Sequence, residues 1–289
     1  MPELPEAETM ARDIQAFAAG RRVLDAAVSH LPIVATDPGN FQADLQGRII
    51  EKARRMGKWV VLDLSDGGAL LAHLKMTGQF LSGRWPDGIP LDPDLEGPSS
   101  LWPAHAHAAI LLEGPGDNVL YYKDTRKFGR LRLFSASDLG PFLETLALGP
   151  DPLAISHEDF YQRLSSGKKS LKAALLDQSS VSGLGNIYVD ESLFKAGFSP
   201  KHPASLITKD QAFSLLEAIR EVLTEAIELR GSTVSSYKSL GESGGFQDRH
   251  QVYGKAGYFC PRCGEPLSRS VVAGRTTISC PVCQKDPAR

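Results

Sequence analysis

The sequence predicts an α+β protein in which an amphipathic helix and a run of short strands precede a helical segment and a compact cysteine module. Three observations carry this reading. Seven short stretches rich in β-branched or other apolar residues fall between residues 23 and 135. The periodicity turns helical beyond Gly149-Pro150-Asp151-Pro152, and all four cysteines lie after residue 259. Strands at this spacing belong to a sandwich or barrel rather than to alternating βαβ units.

The elements follow in order. Ala7, Met10, Ala11, Ile14, Phe17 and Ala18 recur at helical spacing, with Pro5 near the start and Gly20 just past the end. Such punctuation marks one amphipathic helix. Strands are expected at 23–29, 48–55, 58–65 and 69–75, the last two joined by a turn at Asp66-Gly67-Gly68. Three more are expected at 107–113, 119–123 and 129–135, with residues 82–104 as a long surface loop rich in Pro, Gly and Asp. Helices are expected near 156–166, 170–178 and 186–196, and a long one from about Thr208 to Arg230. In that last helix Ala212, Leu215, Leu216, Ile219, Val222 and Leu223 form a stripe that reads as bundle core. Residues 231–257 read as loop.

Composition narrows the class. A chain of 289 residues with 42% hydrophobic and 23% charged residues is ordinary for a globular protein and long enough for two cores. No apolar run is long enough to span a bilayer. The N-terminus lacks a basic segment followed by an apolar one, so no secretory leader is expected and a cytoplasmic location is. The net charge of −2 argues mildly against a nucleic-acid partner, yet residues 231–289 hold eight Lys and Arg against four Asp and Glu. A locally basic face can bind phosphates on a chain that is acidic overall.

Four motifs carry chemistry. The chain opens Met1-Pro2-Glu3-Leu4-Pro5-Glu6. Removal of Met1 makes the Pro2 ring nitrogen a secondary amine, and an α-amino group with a pKa of roughly 7.7–8.0 is partly unprotonated near neutral pH. An amine beside the Glu3 and Glu6 carboxylates suits sugar-carbon chemistry through an iminium. The competing reading is an ordinary second-position proline with acidic residues that simply meet the dipole of a helix N-terminus. In the tail, Cys260 and Cys263, then Cys280 and Cys283, form two pairs spaced to close a tetrahedral Zn²⁺ site, against the alternatives of two disulfides or free thiols. Four thiolates leave no open position, so one structural zinc is expected. Arg275, beside Gly274 in the intervening hairpin, reads as a phosphate contact or a solvated turn residue.

The third motif is Val181-Ser182-Gly183-Leu184-Gly185-Asn186-Ile187-Tyr188, where glycines before a helix make an anion site. It follows a helix rather than a strand, which argues against a dinucleotide fold. The fourth pairs His73-Leu74-Lys75-Met76-Thr77-Gly78 with Lys123-Asp124-Thr125-Arg126-Lys127-Phe128-Gly129. Met76, Arg126 and Phe128 suit a wedge in a DNA stack, although apolar residues at strand ends are commonly core.

Together these motifs make the chain resemble the formamidopyrimidine-DNA glycosylases along nearly its whole length. The Pro-Glu-Leu-Pro-Glu start, Lys58 after Gly57, the His73–Gly78 turn, Asp124-x-Arg126-Lys127-Phe128-Gly129, Leu175-Leu176-Asp177-Gln178, the Gly183-x-Gly185-Asn186 turn and the four cysteines stand in one order. Thr125 and Lys127 stand where the family more usually has Pro and Arg. The resemblance implies an N-terminal β-sandwich with flanking helices, and a C-terminal helical helix–two-turn–helix domain plus a zinc-finger β-hairpin. The implied boundaries are 1–135 for the catalytic domain, 136–152 for a linker, 153–231 for the helical domain, 232–250 for a lesion-capping loop and 251–289 for the zinc finger.

The resemblance also implies a bifunctional glycosylase and AP lyase acting on damaged double-stranded DNA as a monomer. Pro2 would be the nucleophile, Glu3 the general acid/base, and Glu6 a positioning group. Lys58 and Arg275 would act on the phosphates at the lesion. Met76, Arg126 and Phe128 would fill the gap left by a flipped base, and His107, Lys169, Asn186 and Tyr237 would contact DNA. The substrates implied are 8-oxoguanine and formamidopyrimidines. The alternatives are a relative preferring oxidised pyrimidines, or a non-catalytic protein that binds damaged DNA.

Overall fold

The computed structural model describes residues 2–35, 40–85 and 102–285. The chain divides into two compact units, one of Met1–Leu146 with Arg230–Gly244, the other of Ala147–Leu229 with Gly245–Arg289.

The first unit opens with α1 (Leu4–Ala18) and β1 (Val23–Val28), followed by the short α2 (Phe41–Leu45). Strands β2 (Ile50–Met56), β3 (Trp59–Leu64), β4 (Ala69–His73) and β5 (Gly78–Gly83) come next, then β6 (Ala106–Leu112), β7 (Val119–Asp124) and β8 (Arg130–Phe134). They form two four-stranded antiparallel sheets, ordered β1-β6-β7-β5 and β2-β3-β4-β8. Phe80, Ile110 and Tyr122 from one sheet share a buried cluster with Leu62, Leu70 and Leu131 from the other, so the expected sandwich is present. Met10, Ala11 and Ile14 of α1 join that cluster, as the helical periodicity requires. Burying a side chain such as Met10 or Ile14 contributes roughly 1.5–3 kcal/mol, which holds the N-terminus on the sandwich.

Three elements escaped the sequence reading: the short α2, β5 and α3. Strand β5 is bounded by Gly78 and Gly83, and its end falls inside the stretch expected to be loop. A Cβ on Gly78 would lie 2.3 Å from the Tyr122 hydroxyl, so this glycine marks a close approach rather than a break. The rest of the expected 82–104 loop lies mostly outside the described residues. Helix α3 (Ala136–Thr145) occupies most of the stretch expected to be linker. Ser135 caps it, and Gly140 and Pro141 inside it hide its periodicity. Leu139, Phe142 and Leu143 of α3 cover the outer face of the second sheet, with Phe142 stacked 4.4 Å from Phe134. This cover explains why β4 is buried on both faces instead of alternating.

The second unit holds α4 (His157–Ser165), α5 (Leu171–Leu176), α6 (Asn186–Ala196) and α7 (Lys209–Glu228), then the hairpin β9 (Ser268–Val272) and β10 (Arg275–Ser279). Thr208 and Gln211 form a capping box that starts α7. The helix ends at Glu228 rather than Arg230, because Arg230 and Gly231 both take left-handed backbone, at φ 64° and 78°. Helices α5 and α6 and strand β10 are joined by a buried ion pair, Lys172 Nζ to Asp190 Oδ1 at 2.6 Å. No helix among the described residues is long and apolar enough to cross a membrane.

Candidate functional site

In the first unit the candidate site is built on the first turn of α1. Pro2 is buried, and Glu3 and Glu6 are only 2% and 1% exposed. Glu3 is the N-cap residue, and Glu6 Oε2 accepts from its N–H at 2.7 Å, one half of a capping box. Glu6 thus has a capping role at the start of α1 that the sequence reading did not foresee. Its other oxygen, Oε1, accepts from the Ser232 N–H at 2.7 Å. A Cβ on Gly231 would lie 2.6 Å from that oxygen, so glycine is what lets the returning chain reach the carboxylate. The Tyr237 hydroxyl donates to the Glu6 carbonyl at 3.0 Å. Burial holds this phenol well above its ordinary pKa, so it stays a donor. Thus Pro2, Glu3, Glu6 and Tyr237 are brought together, and Tyr237 meets the backbone of α1.

A second feature of this unit is organised by Asp124, a residue whose role the sequence did not reveal. It is fully buried at the end of β7. Its Oδ1 accepts from the Thr77 hydroxyl and from the Arg126 N–H, the latter at 3.1 Å, and its Oδ2 accepts from the Gly129 N–H at 2.6 Å. One carboxylate thereby joins the turn after β4 to the turn after β7. The result is a cluster on the surface: Met76 is 40% and Phe128 49% exposed, and the Arg126 guanidinium sits 4.9 Å from the centre of the Phe128 ring. Arg126 Nη1 also approaches the Met76 sulfur at 3.0 Å. Met76 and Phe128 are not core. His107 is buried beneath the same turn, its Nε2 2.9 Å from the Asp124 carbonyl, and burial lowers its pKa. Lys58 is half-buried in the tight turn between β2 and β3, after Gly57 at φ 57°.

In the second unit the glycine turn before α6 is stapled by Gln178. Its Oε1 accepts from Gly183 N–H at 3.0 Å, and its Nε2 donates to the Leu176 and Leu184 carbonyls. Asn186 opens α6 and donates through Nδ2 to the Thr276 carbonyl at 3.0 Å. Lys172 Nζ donates to the same carbonyl at 3.2 Å. These bonds fix β10 beside Arg275, which is exposed just after the two-residue turn Ala273-Gly274, both at positive φ. Such a turn matches the strand twist and makes a stiff ribbon. Lys169 is elsewhere, paired at 2.6 Å with Asp177, whose carboxylate the lysine and Ser179 hold down to about 2.

The four cysteines converge, and none is in a disulfide. Their Sγ atoms all lie within 4.8 Å of one another, with Cys263–Cys280 at 3.4 Å and Cys260–Cys283 at 3.9 Å. The Arg262 N–H points to Cys260 Sγ and the Cys283 N–H to Cys280 Sγ, at 3.4 and 3.3 Å.

The family model for the formamidopyrimidine-DNA glycosylase N-terminal domain matches residues 1–131, and that for the H2TH domain of the same enzymes matches residues 148–238. The chain is 42% identical to a formamidopyrimidine-DNA glycosylase of Thermus thermophilus over 98% of each protein. It is 37% identical to that of Streptococcus pneumoniae over 99% of each. The chain belongs to the formamidopyrimidine-DNA glycosylase family. The fold agrees: a Lactococcus lactis Fpg variant, solved with DNA containing Fapy-dG, matches with a TM-score of 0.87 at 33% identity, covering 99% of this chain and 100% of that one. The same L. lactis enzyme with abasic-site DNA matches with a TM-score of 0.86, covering 98% and 100%.

For a member of this family the cysteine cluster suggests a zinc finger, and the donor set fits one. Zn–S bonds of about 2.3 Å in a tetrahedron put sulfurs roughly 3.8 Å apart, close to the separations above. The backbone N–H groups aimed at Cys260 and Cys280 would stabilise thiolates. Sequence reasoning had no signal for Glu191, which anchors the start of this module: its buried carboxylate accepts from the Gln251, Val252 and Tyr253 N–H groups at 2.8, 3.0 and 2.8 Å. Nor was there a signal for the ion pair of Asp13 with Arg230 at 2.6 Å, which joins residues far apart in sequence.

Proposed function

We propose that this DNA glycosylase is bifunctional, removing oxidised purines such as 8-oxoguanine and formamidopyrimidines from duplex DNA and then cutting the strand as an AP lyase. The observation that carries the reading is the buried group of Pro2, Glu3 and Glu6, with Glu6 held from both sides by backbone N–H groups. A carboxylate fixed in this way orients a substrate rather than wandering as a solvated charge.

On this reading Met1 is removed and the Pro2 nitrogen attacks C1′ of the damaged nucleotide. The C1′–base bond breaks, and the base leaves with its electron pair and takes up a proton. Glu3 gives a proton to the sugar ring oxygen, and the ring opens to an iminium on Pro2. That cation acidifies the C2′ proton; its removal expels the 3′ phosphate, and a second elimination expels the 5′ phosphate. Water finally releases the sugar fragment from Pro2. Flipping the nucleotide out of the duplex is what allows an amine at a chain end to reach C1′.

The other residues serve the grip. Met76, Arg126 and Phe128 form an exposed wedge of the kind that fills a vacated stack. Asn186, Arg275, Lys58 and Lys169 supply donors for phosphates, with His107 and Tyr237 supporting the wedge turn and the 232–250 loop. A zinc held by Cys260, Cys263, Cys280 and Cys283 would be structural, closing the hairpin that carries Arg275. On this reading the protein works as a monomer on chromosomal DNA in the bacterial cytoplasm. A wider lesion range has one specific support: the L. lactis wild-type Fpg, matched with a TM-score of 0.85, was solved with DNA containing an oxidised pyrimidine.

The test is borohydride trapping on duplexes containing 8-oxoguanine or an oxidised pyrimidine. A covalent adduct mapped to Pro2, lost in Pro2→Gly and strongly reduced in Glu3→Gln, is the expected result. Bound but uncut duplex with no adduct would overturn the lyase reading, and cleavage of the pyrimidine lesion alone would reassign the substrate.

A further inference from the structure

Residues 231–244 belong to the first unit, and several of them are anchored there while Val234–Ser236 and Gly241–Ser243 stay exposed. Tyr237 and Ser239 are 8% and 1% exposed. The Leu240 N–H donates to the Phe80 carbonyl at 3.1 Å, and the Lys238 N–H to Gln79 Oε1 at 3.0 Å. At its start, the Ser232 N–H rests on Glu6.

One carboxylate on α1 ties the residue that precedes this stretch to its middle. Arg230 Nη2 donates to Asp13 Oδ2 at 2.6 Å, and Nη1 to Oδ1 at 3.2 Å. The Ser239 hydroxyl donates to the same Asp13 Oδ2. Arg230 holds a left-handed backbone at φ 64°, a conformation that costs any side chain other than glycine and persists where the surroundings impose it. The two-point bond to Asp13 is such an imposition. Helical rise of about 1.5 Å per residue puts Asp13 roughly 10 Å along α1 from Glu6, too far to touch a sugar held at Pro2.

We propose that Asp13 is a positioning residue for damaged-base selection: by holding Arg230 and Ser239 it fixes residues 231–244 on α1, keeping the Ser232 N–H on Glu6. The proposal rests on the glycosylase and lyase reading above. A segment docked beside Glu6 matters for a substrate that still carries its base. An abasic site has no base to hold and needs only Pro2 and Glu3. Loss of the latch therefore separates two activities that share one nucleophile.

The test uses the full chain with Met1 removed, and compares excision of 8-oxoguanine with strand cleavage at a preformed abasic site. Asp13→Asn lowers kcat/KM for excision by about tenfold and changes abasic-site cleavage by less than about twofold. Amide exchange speeds up at Ser232 and Leu240. The reciprocal variant Asp13→Arg with Arg230→Asp restores most of the excision. Ser239→Ala, a milder cut in the same latch, shifts the ratio in the same direction and gives the answer even where Asp13→Asn fails to fold. An unchanged ratio of the two activities, with a working wild type, overturns the latch alone. A wild type that acts on neither substrate overturns the parent reading and the latch with it.

Discussion

Lys172 and Asp190 meet at 2.6 Å with side chains 0% and 1% exposed, and Lys172 reaches on to the Thr276 carbonyl at 3.2 Å. Burial pushes the Asp190 carboxyl up to about 6, against the pull of Lys172. A buried pair contributes little over an apolar replacement of equal size, but breaking it strands a charge. Lys172→Met should cost about 3–5 kcal/mol in denaturant unfolding of the second unit, and Lys172→Met with Asp190→Leu should recover most of it. A single variant no less stable than the double would sink this account.

His73 gives the first unit an acid limit. Its imidazole is pushed down to about 3 by burial and by the nearby Lys75 and Lys58 charges. The unfolded side chain titrates near about 6.5, so on acidification the unfolded state takes the proton first. Stability contributed by the neutral ring is full above about 6.5 and is lost as pH falls toward about 3. The loss should reach the order of a few kcal/mol. His73→Asn, which keeps an acceptor for the Lys75 N–H that His73 Nδ1 binds at 3.0 Å, should flatten the fall. Parallel pH profiles for the two proteins would count against His73.

Much of this was legible before any coordinates. Strand grammar, the amphipathic stripes of α1 and α7 and the cysteine spacing each depend on local pattern, and the structure keeps them with shifts of a few residues. What stayed hidden depends on contacts distant in sequence. Asp124 looks like one more loop acid until Thr77 and Gly129 are seen to share it. Asp13 sits on the polar side of a helix whose pattern predicts solvent, yet it takes Arg230 and Ser239. Helix α3 was hidden by its own Gly140 and Pro141, and β5 by its flanking glycines.

Asp124 also yields a prediction that separates scaffold from grip. Asp124→Asn keeps the size of the side chain but turns one acceptor oxygen into a donor facing Gly129 N–H or Thr77 and Arg126 N–H. Removing one partner of a buried bond costs roughly 1–3 kcal/mol. The melting temperature should fall, and the turns bearing Met76 and Arg126 should loosen. Fluorescence of a base analogue opposite the lesion should then report weaker stack invasion, with abasic-site cleavage better preserved. Unchanged invasion in a destabilised Asp124→Asn protein would show that the proposed wedge does not need this carboxylate.

Metal removal tests the tail. Cys260 and Cys280 are buried with Phe194, Val252, Leu267 and Ile278 in one small cluster. So few apolar residues cannot hold a module of this size, and small metal-bound modules draw most of their folding free energy from the ion. Chelation should therefore release the amide protons of Thr277 and Ile278 while the sandwich keeps its protection. On the proposed phosphate roles of Arg275 and Asn186, duplex affinity should fall by at least about tenfold, because Arg275 and the Thr276 carbonyl bound by Asn186 ride on the same ribbon. Cys263→Ser should reproduce the effect more weakly, leaving three thiolates to hold the ion. Hairpin protection and duplex affinity that both survive stoichiometric zinc loss would mean the cysteines are not what holds β9 and β10 in place.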